Sequence, residues 1–280
     1  MFQAQLPLSP PPQPAEVVLP AIAVHNIRGL ALTKKTPTPF STSGKWLSLS
    51  NATQNIDVLA ITETQTADDF PSQSFRPFGP RLKMVLYSCP RRHNGGCMLF
   101  VNPKTISNVH TSVVQPGRIL KLRFVFNNCT YVFYAVYFSA VSFLDRNRSI
   151  ELLRVDMNNQ TCSHVENNLP PPQFLLGGDF NINLTSSMEA DAANLHALAS
   201  TFDLYDVFHS LGITDPTRIG DGSRASEMSI LDYVYSSTSL PYNHGDIVYT
   251  SQADHAILTI QKDPPVKPPP PLPPLLPTFF

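Results

Sequence analysis

The sequence predicts an α/β domain built mainly on antiparallel sheet. Many short runs rich in β-branched and aromatic residues follow one another with turn residues between them, whereas few stretches show the spacing of an amphipathic helix. Residues 16–262 contain no obvious linker, so we predict a single large domain. Strands joined by short turns, with a few inserted helices, are typical of such an architecture.

The predicted strands and helices cover most of this domain. Strands are predicted at 15–24, 57–63, 82–88, 96–101, 107–114, 119–126, 130–138, 173–178, 229–236, 245–250 and 255–261. Helices are predicted near 42–50, 145–160 and 187–201, the first capped by Ser41, Thr42 or Ser43. Asn127 and Asn128 separate two strand runs, which predicts a hairpin turn there.

The overall charge is close to neutral. The net charge is -1, and charged residues make up 15% of the chain, below the roughly 25% that is usual for globular proteins. A protein that coats nucleic acid without sequence preference is more basic than this. The composition therefore argues against such a protein, but it is compatible with an enzyme that contacts a few phosphates through a local patch.

Both ends of the sequence are rich in proline. Residues 1–15 and 263–280 show no periodic apolar pattern, so we predict a disordered tail on each side of the domain. The C-terminal segment PPPPLPPLLP is a candidate ligand for an SH3 or WW groove. A linker, or a remnant of a longer polyprotein, is the more ordinary interpretation.

Cysteine usage and the lack of recognisable targeting segments indicate an intracellular protein. The four cysteines form no CxxC pair and no zinc-like spacing, so reduced thiols are expected. The sequence shows no secretory signal and no apolar run of the roughly 18 residues that suggest a membrane span. We expect a monomer in the nucleus or cytoplasm, without membrane association.

Polar side chains recur beside the apolar runs, where strands are predicted to end. They are Asn26, Glu63, Asp179, Asn181, Asp232, Asp254 and His255. Strands that present carboxylates or amides at their ends often build a rigid polar site, so we expect these residues to share one pocket. Such groups suit Mg²⁺, and phosphodiester hydrolysis needs a cation, a base for water and donors to the phosphoryl oxygens. Each residue alone also fits turn chemistry or a place in the core. Asp232 lies within an apolar run and needs a partner, for which His255 is the candidate.

The segments around these residues are HNIRGL, AITETQT, HNGGCMLFV, AVYFSA, LLGGDFNINL, SILDYVYSS and QADHAIL, and they extend over nearly the whole core. They resemble the endonuclease/exonuclease/phosphatase superfamily, which includes deoxyribonuclease I and the abasic-site endonucleases. The NIRGL, DPTR and SILDYV elements look most like the endonuclease domain of non-LTR (LINE-type) retrotransposons. The resemblance implies a two-sheet β-sandwich flanked by helices, the four-layer fold of deoxyribonuclease I. It also implies a Mg²⁺-dependent endonuclease that nicks DNA, with Mn²⁺ able to substitute.

The resemblance further implies a role for each residue. The implied catalytic residues are Asp179, His255, Asp232, Asn181 and Tyr137, and the implied metal-side residues are Glu63, Asn26 and Asp254. Asp179 resembles the carboxylate that positions or deprotonates the attacking water. Asp232 resembles the carboxylate that orients the His255 imidazole on the scissile phosphate. Asn181 and Tyr137 resemble groups on the phosphate side, although Tyr137 also fits a place in the aromatic core.

Two arginines are candidates for contact with the DNA backbone, because a guanidinium matches the geometry of a phosphate. Arg28 and Arg218 both lie in the matching segments, and ordinary surface salt bridges explain them equally well. Arg28 stands where abasic-site enzymes usually carry aspartate, and Ala253 where the family often has serine. The segment after Tyr137 also lacks the usual polar or proline-containing element. The arginine at position 28 favours the retroelement branch. Together, the differences also leave open an enzyme of reduced activity.

The sequence also allows two other functions. One is a phosphatase or phospholipase of the same fold, for which no additional basic pocket motif is apparent. The other is a catalytically decayed module that acts through the proline-rich tail. In retroelements a reverse transcriptase normally accompanies this kind of endonuclease, as in target-primed retrotransposition.

Overall fold

Two six-stranded β-sheets packed face to face form the centre of the molecule. The structure, a computed structural model, describes residues 18–28, 44–65, 77–89, 95–184, 190–219, 228–250 and 253–262. Its strands are β1 (Ile22–Asn26), β2 (Val58–Thr62), β3 (Lys83–Ser88), β4 (Cys97–Val101), β5 (Ser107–Gln115), β6 (Ile119–Phe126), β7 (Cys129–Tyr137), β8 (Gln173–Asp179), β9 (Leu204–Asp206), β10 (Asp232–Ser237), β11 (His244–Val248) and β12 (Ile257–Gln261). The first sheet has the order β11-β12-β1-β2-β4-β3 and the second the order β5-β6-β7-β8-β10-β9.

Helices cover the outer faces of both sheets. They are α1 (Gly44–Ala52) on the first sheet, and α2 (Phe143–Glu166) and α3 (Ala190–Thr201) on the second. The short α4 (Val207–Ser210) instead contributes Val207 and Phe208 to the core between the sheets. Between the sheets lies one apolar core, to which residues such as Val24 and Phe133 contribute. A second cluster joins α2 and α3 to the second sheet, and a third joins α1 to the first sheet. The molecule therefore has four layers, which confirms the predicted β-sandwich flanked by helices.

Each sheet is mixed, whereas the local sequence pattern predicted antiparallel sheets. β1 pairs in parallel with β2, and β7 pairs in parallel with β8. A parallel pair needs a long crossover connection. The segment that contains α1 separates β1 from β2, and α2 separates β7 from β8. The prediction missed this pairing because turn residues mark where strands end but not which strand lies beside them.

Several element boundaries differ from the predicted ones. The predicted strand at 15–24 begins only at Ile22 in the described residues, and Pro20, which has no N–H to donate, lies in the segment before it. α2 begins at Phe143 and not near 145, because the Ser142 side chain accepts a hydrogen bond from the Asp145 N–H and caps the helix. β9 and α4 were missed because elements of three or four residues carry no periodic pattern. The candidate caps Ser41, Thr42 and Ser43 lie outside the described residues.

The predicted hairpin turn is confirmed. Asn127 and Asn128 join β6 to β7 with φ of 48° and 62°, and a two-residue type I′ turn requires positive φ at both positions. No disulfide bond joins any of the four cysteines, all of which lie in the described residues. None of the helices in the described part of the chain is long and apolar enough to cross a membrane.

Candidate active site

The polar residues singled out in the sequence meet at one edge of the sandwich. β1 and β2 run parallel, so Asn26 at the end of β1 lies beside Thr62, directly before Glu63. In the second sheet Asp179, the last residue of β8, pairs with Asp232. The sequence pattern suggested that each of these residues lies at the end of a strand, but two of them lie at the beginning of one. Asp232 begins β10 and His255 precedes β12, and both strands run antiparallel to their neighbours, so their beginnings share an edge with the ends of β8 and β1.

Two glycines of β8 permit close packing at this edge. A Cβ on Gly177 would lie 2.6 Å from Val24 Cγ1 of the facing sheet, so Gly177 allows the two sheets to approach closely. Gly178 has φ of 140°, and a Cβ there would lie 2.1 Å from the carbonyl oxygen of Val136 in the neighbouring strand β7 of the same sheet. Only glycine fits both positions without rearrangement. Asp179 follows this glycine pair directly.

Asn26 connects the two sheets through its side-chain amide. The buried Nδ2 donates to Glu63 Oε2 at 3.0 Å and to Asp179 Oδ2 at 2.7 Å. The Asn26 Oδ1 accepts the backbone N–H of Arg28 at 2.9 Å, which fixes the orientation of the amide. Gln65 Nε2 also donates to Glu63 Oε1 at 3.0 Å. Glu63 itself has a φ of 52°, an unusual backbone conformation for a non-glycine residue.

Asp179 is fully buried and is held by donors on both oxygens. Its Oδ1 accepts the Asn181 backbone N–H at 2.9 Å, and its Oδ2 accepts Asn181 Nδ2 at 2.9 Å in addition to Asn26. Asn181 Nδ2 also donates to the Phe138 carbonyl at 3.1 Å. Burial, together with the nearby charge of Asp232, raises the pKa of Asp179 to about 7, although His255 and the hydrogen bonds oppose the shift. The carboxylate is therefore poised to exchange a proton near neutral pH.

A threonine, an aspartate and a histidine form a buried chain beside Asp179. His255 Nδ1 lies 2.7 Å from Asp232 Oδ2, and Thr217 Oγ1 donates to the same oxygen at 2.8 Å. Thr217 Oγ1 in turn accepts the backbone N–H groups of Leu231 and Asp232, each at 3.0 Å. Burial alone lowers the pKa of His255, but the charge and hydrogen bond of Asp232 outweigh it and raise that pKa to about 9. The imidazole is therefore protonated at neutral pH.

Asp254 lies between two arginines. Its Oδ2 is 2.5 Å from a terminal nitrogen of Arg28 and 3.8 Å from Nε of Arg218. Its Oδ1 is buried and has no hydrogen-bond partner among the described residues. A buried carboxylate oxygen without a partner is costly. This oxygen is accordingly suited to a ligand such as a cation.

Tyr137 is placed beside the same cluster by the parallel pairing of β7 with β8, in which it lies opposite Asp179. Its ring is buried, and the guanidinium of Arg118 lies 4.7 Å from the ring centroid. Burial and the charges of Glu63 and Asp179 raise the pKa of the Tyr137 hydroxyl, so it stays protonated and able to donate.

Comparison with solved structures assigns the fold. The chain is similar to the AP endonuclease LMAP from Leishmania major, with 14% identity, a TM-score of 0.67, and 86% of each chain covered. The endonuclease domain of TRAS1, a telomere-specific non-LTR retrotransposon, gives 13% identity and a TM-score of 0.56 over 86% of this chain and 96% of that one. The mannosyl-6-phosphatase Bt3783 from Bacteroides thetaiotaomicron gives 12% identity and a TM-score of 0.60 over 86% and 98%.

This chain has the endonuclease/exonuclease/phosphatase fold. No family model matches the sequence, and no curated protein matches it. At these identities the structural likeness establishes the fold alone, and nucleases and a phosphatase occur among the similar structures. The fold does not by itself specify the activity, which depends on the side chains of the site.

The site of this endonuclease/exonuclease/phosphatase fold contains the donors that a divalent cation requires. Ligand atoms of Asp179, Asp232 and His255 lie within 4.8 Å of one another. Asp232 and His255 already bind each other, so the carboxylates left to hold a cation are Glu63, Asp179 and the unpartnered oxygen of Asp254. Carboxylate oxygens are the ligands that Mg²⁺ prefers. The residues present therefore fit the cation that the fold implies.

Sequence reasoning missed two residues of the site. Thr217 lies in the DPTR element, which contributed to the resemblance, but its hydroxyl was given no role. A signal was nevertheless available, because Asp232 in an apolar run needs more than one hydrogen-bond partner. Arg118 gave no sequence signal, since only the β6–β7 pairing brings it to Tyr137.

Proposed function

We propose that this protein is a Mg²⁺-dependent endonuclease that hydrolyses a phosphodiester bond of DNA and leaves a nick with a 3′ hydroxyl. Mn²⁺ is expected to substitute for Mg²⁺. The observation that carries the proposal is that one buried cluster holds both a carboxylate able to accept a proton and a protonated imidazole. Asp179 has a pKa near neutrality and faces His255, which Asp232 keeps protonated. A base and a cationic acid side by side suit attack of water on a phosphodiester.

Asp179 is the proposed base for the attacking water. Three N–H donors from Asn26 and Asn181 fix the position of its carboxylate, so the oxygen that takes the proton is fixed in direction. A bound divalent cation supplies positive charge that neutralises the phosphate and favours the ionised carboxylate. Glu63 and Asp254 are the proposed ligands of that cation. Asn26 orients Glu63, because its amide nitrogen donates to Glu63 Oε2 while its oxygen is held by the backbone N–H of Arg28.

His255 is the proposed donor to the scissile phosphate. With Nδ1 bound to Asp232, the proton on Nε2 is the one offered to a phosphoryl oxygen as negative charge develops. Thr217 keeps Asp232 in place for this task. Tyr137 and Asn181 are proposed to complete the phosphate side, although Asn181 Nδ2 must first release Phe138 or Asp179.

Arg28 and Arg218 are proposed to contact the DNA backbone on either side of the cleaved bond. Both guanidinium groups lie next to Asp254, and the Arg28 side chain is half-exposed. A phosphate that enters the site would compete with Asp254 for them. The endonuclease domain of the TRAS1 retrotransposon shares this fold, and we propose that the nick serves target-primed retrotransposition.

A phosphatase is the second candidate, because a mannosyl-6-phosphatase has a similar structure. A decayed module acting through residues 263–280 is the third, and that segment lies outside the described residues. The intact base, histidine pair and carboxylates favour an active enzyme over a decayed one.

The test is a substrate panel with a matched inactive variant. Purified protein is incubated with Mg²⁺ and supercoiled plasmid, p-nitrophenyl phosphate or sphingomyelin, beside Asp179→Ala and a sample with EDTA. Nicking of plasmid by the wild type alone, with ends that a DNA polymerase extends, is the expected result. Turnover of the monoester or lipid without nicking would establish the phosphatase or phospholipase. Activity equal to that of Asp179→Ala on every substrate would establish the decayed module.

A further inference from the structure

A cavity of about 620 Å³ lies at the outer edge of the second sheet. The edge strand β9 pairs with Tyr235–Ser237 of β10 and then gives way to α4. Among the described residues, the beginning of β10 therefore has no strand beside it on that edge. Helix α3 and the segment 213–217 contribute further walls. The volume lies within the roughly 300–1,000 Å³ that is typical of small-molecule sites.

The walls of the cavity are mainly apolar and aromatic. Leu204, Phe208 and Ile230 line it, together with the rings of Tyr233 and Tyr235. The Tyr235 hydroxyl is buried and has no hydrogen-bond partner among the described residues. A buried hydroxyl without a partner is costly, so a ligand that brings a polar atom to it would be stabilised.

The charged groups of the cavity favour a cation. Asp206, Asp215 and Asp232 line it, and the lining also includes His196 and His209. Among the described residues no lysine or arginine lines it. Three carboxylates without an opposing lysine or arginine make the cavity a poor site for an anion and a good one for an amine.

Asp206 is the carboxylate best placed to hold that amine. Its Oδ1 accepts the backbone N–H groups of Phe208 at 3.0 Å and His209 at 3.3 Å, so its position is fixed by the start of α4. Burial raises the pKa of Asp206, although these hydrogen bonds and His209 oppose the shift. A cation beside the carboxylate would favour its ionised form and would in turn be held by it.

The cavity differs from the site proposed for catalysis. Asp232 belongs to both, but Glu63, Asp179 and Asp254 are not among the described residues that line the cavity. A ligand in the cavity therefore leaves the proposed cation ligands and the proposed base accessible. The phosphates of DNA are anions and do not suit its carboxylates.

We propose that this cavity binds a small amine with an aromatic body. The ammonium group lies beside Asp206, and the aromatic body packs among Phe208, Tyr233 and Tyr235. Aromatic rings attract both another ring and a cation over their faces. Carboxylate ligands such as fatty acids, and nucleotides, would be repelled by Asp206 and Asp215. Binding requires the fold but not the chemistry, so this site is independent of the proposed nuclease activity.

The test uses three probes that share an indole ring and differ in charge. The full chain is titrated with tryptamine, 3-methylindole or indole-3-acetate, and binding is followed by two-dimensional NMR. We expect tryptamine to bind with a dissociation constant on the order of 0.1–1 mM. The neutral probe should bind at least about threefold more weakly, and the anion more weakly still. The backbone signals of Ser200, Thr214 and Ile230, which line the cavity, should shift with tryptamine.

Four variants locate the binding site. Ala199→Phe fills the cavity from α3 and should weaken tryptamine binding at least about tenfold. Ala193→Phe makes the same change at an exposed position of α3 and should bind like the wild type. Asp206→Asn keeps a side chain able to cap α4 but removes the charge, so it should bind tryptamine and 3-methylindole equally. Glu63→Gln changes the catalytic edge and should leave tryptamine binding unaltered.

Each result decides for or against the cavity. Equal affinity of the wild type for the three probes, or no saturable binding of tryptamine, would overturn the proposal. Wild-type affinity in both Ala199→Phe and Asp206→Asn would also overturn it. Loss of tryptamine binding in Glu63→Gln, with Asp206→Asn unaffected, would instead place the amine at the catalytic edge. If Ala199→Phe does not fold, the charge preference of Asp206→Asn decides.

Discussion

His255 owes its positive charge at neutral pH mainly to Asp232. Burial lowers the pKa of His255, but the charge and hydrogen bond of Asp232 at 2.7 Å, together with the charges of Asp179 and Asp254, raise it to about 9. We predict that Asp232→Asn brings the pKa of His255 back to or below its ordinary value of 6.5. NMR titration of the imidazole in metal-free protein measures this directly, and an unchanged titration would contradict the assignment of Asp232.

The same pair makes stability depend on pH in a defined direction. A histidine whose pKa is raised on folding stabilises the folded state fully below the unfolded pKa, near 6.5, and this contribution is lost as the pH rises through about 9. The free energy of unfolding of the wild type should therefore fall over this interval by more than that of Asp232→Asn. Denaturant titrations at a series of pH values measure the difference.

Arg28 and Asp254 form an ion pair at 2.5 Å, so Arg28 would compete with a cation at the proposed site. We predict that Arg28→Ala binds Mg²⁺ about two- to fivefold more tightly at low salt, a modest change because an exposed ion pair is screened by solvent. Calorimetry measures the affinity, and Arg154→Ala, which removes an exposed arginine paired with Glu151, is the control. Weaker Mg²⁺ binding by Arg28→Ala would show that the arginine assists the cation.

At the scale of residues, the sequence indicated most of the cluster but not its contacts. The polar side chains of Asp179 and Asn181 stand out after an apolar run, so their importance is visible locally. The hydrogen bond from Thr217 to Asp232 is not visible in the sequence, and neither is the contact between Arg28 and Asp254. Arg28 and Asp254 are separated by 226 positions. Such pairs are set by sheet packing and not by neighbours along the chain.

Among the elements, β8 is the most constrained by its glycines. Gly178→Ala would place a Cβ 2.1 Å from a backbone carbonyl in a backbone conformation that alanine rarely adopts. We predict a loss of about 3 kcal/mol or more in the free energy of unfolding. Gly212→Ala is the matched control, since Gly212 has φ of 71° but open space around it, and about 1–2 kcal/mol is expected there. Equal losses in the two variants, measured by denaturant unfolding, would show that the close approach does not matter.

The elements themselves were largely predictable, whereas their arrangement was not. The buried strand β4 is apolar at every position, β2 is apolar up to Thr62, and β6 alternates, so each has a clear local pattern. The parallel pairing of β7 with β8 depends on the crossover through α2, which no local pattern specifies. It is this pairing that brings Tyr137 opposite Asp179.

For the whole molecule, we propose that residues 16–262 form the folding and functional unit. All the described strands and helices, and the polar cluster of the candidate site, lie within these limits. A shortened chain of residues 16–262 should unfold at the same temperature as the full chain and nick plasmid at the same rate. A lower unfolding temperature or a slower rate would assign a structural or substrate-binding role to residues 1–15 or 263–280.

The resemblance of scattered segments anticipated the architecture of the whole molecule better than any secondary-structure pattern did. It implied two sheets with flanking helices, which the order of the strands confirms. The activity is one step further, because the fold is shared by nucleases and a phosphatase and is matched here at 12–14% identity. The chemistry therefore depends on the cluster at the edge of the sandwich.

The most direct test of that cluster is the ratio of two rates on one substrate. Conversion of supercoiled plasmid to open circles is followed with Mg²⁺ for the wild type and for Asp179→Asn, a variant that keeps the shape of the side chain but removes the base. Loss of a general base predicts a wild-type rate at least about 100-fold higher, at matched unfolding temperatures. A ratio near one would contradict the assignment of Asp179 and of the site built around it.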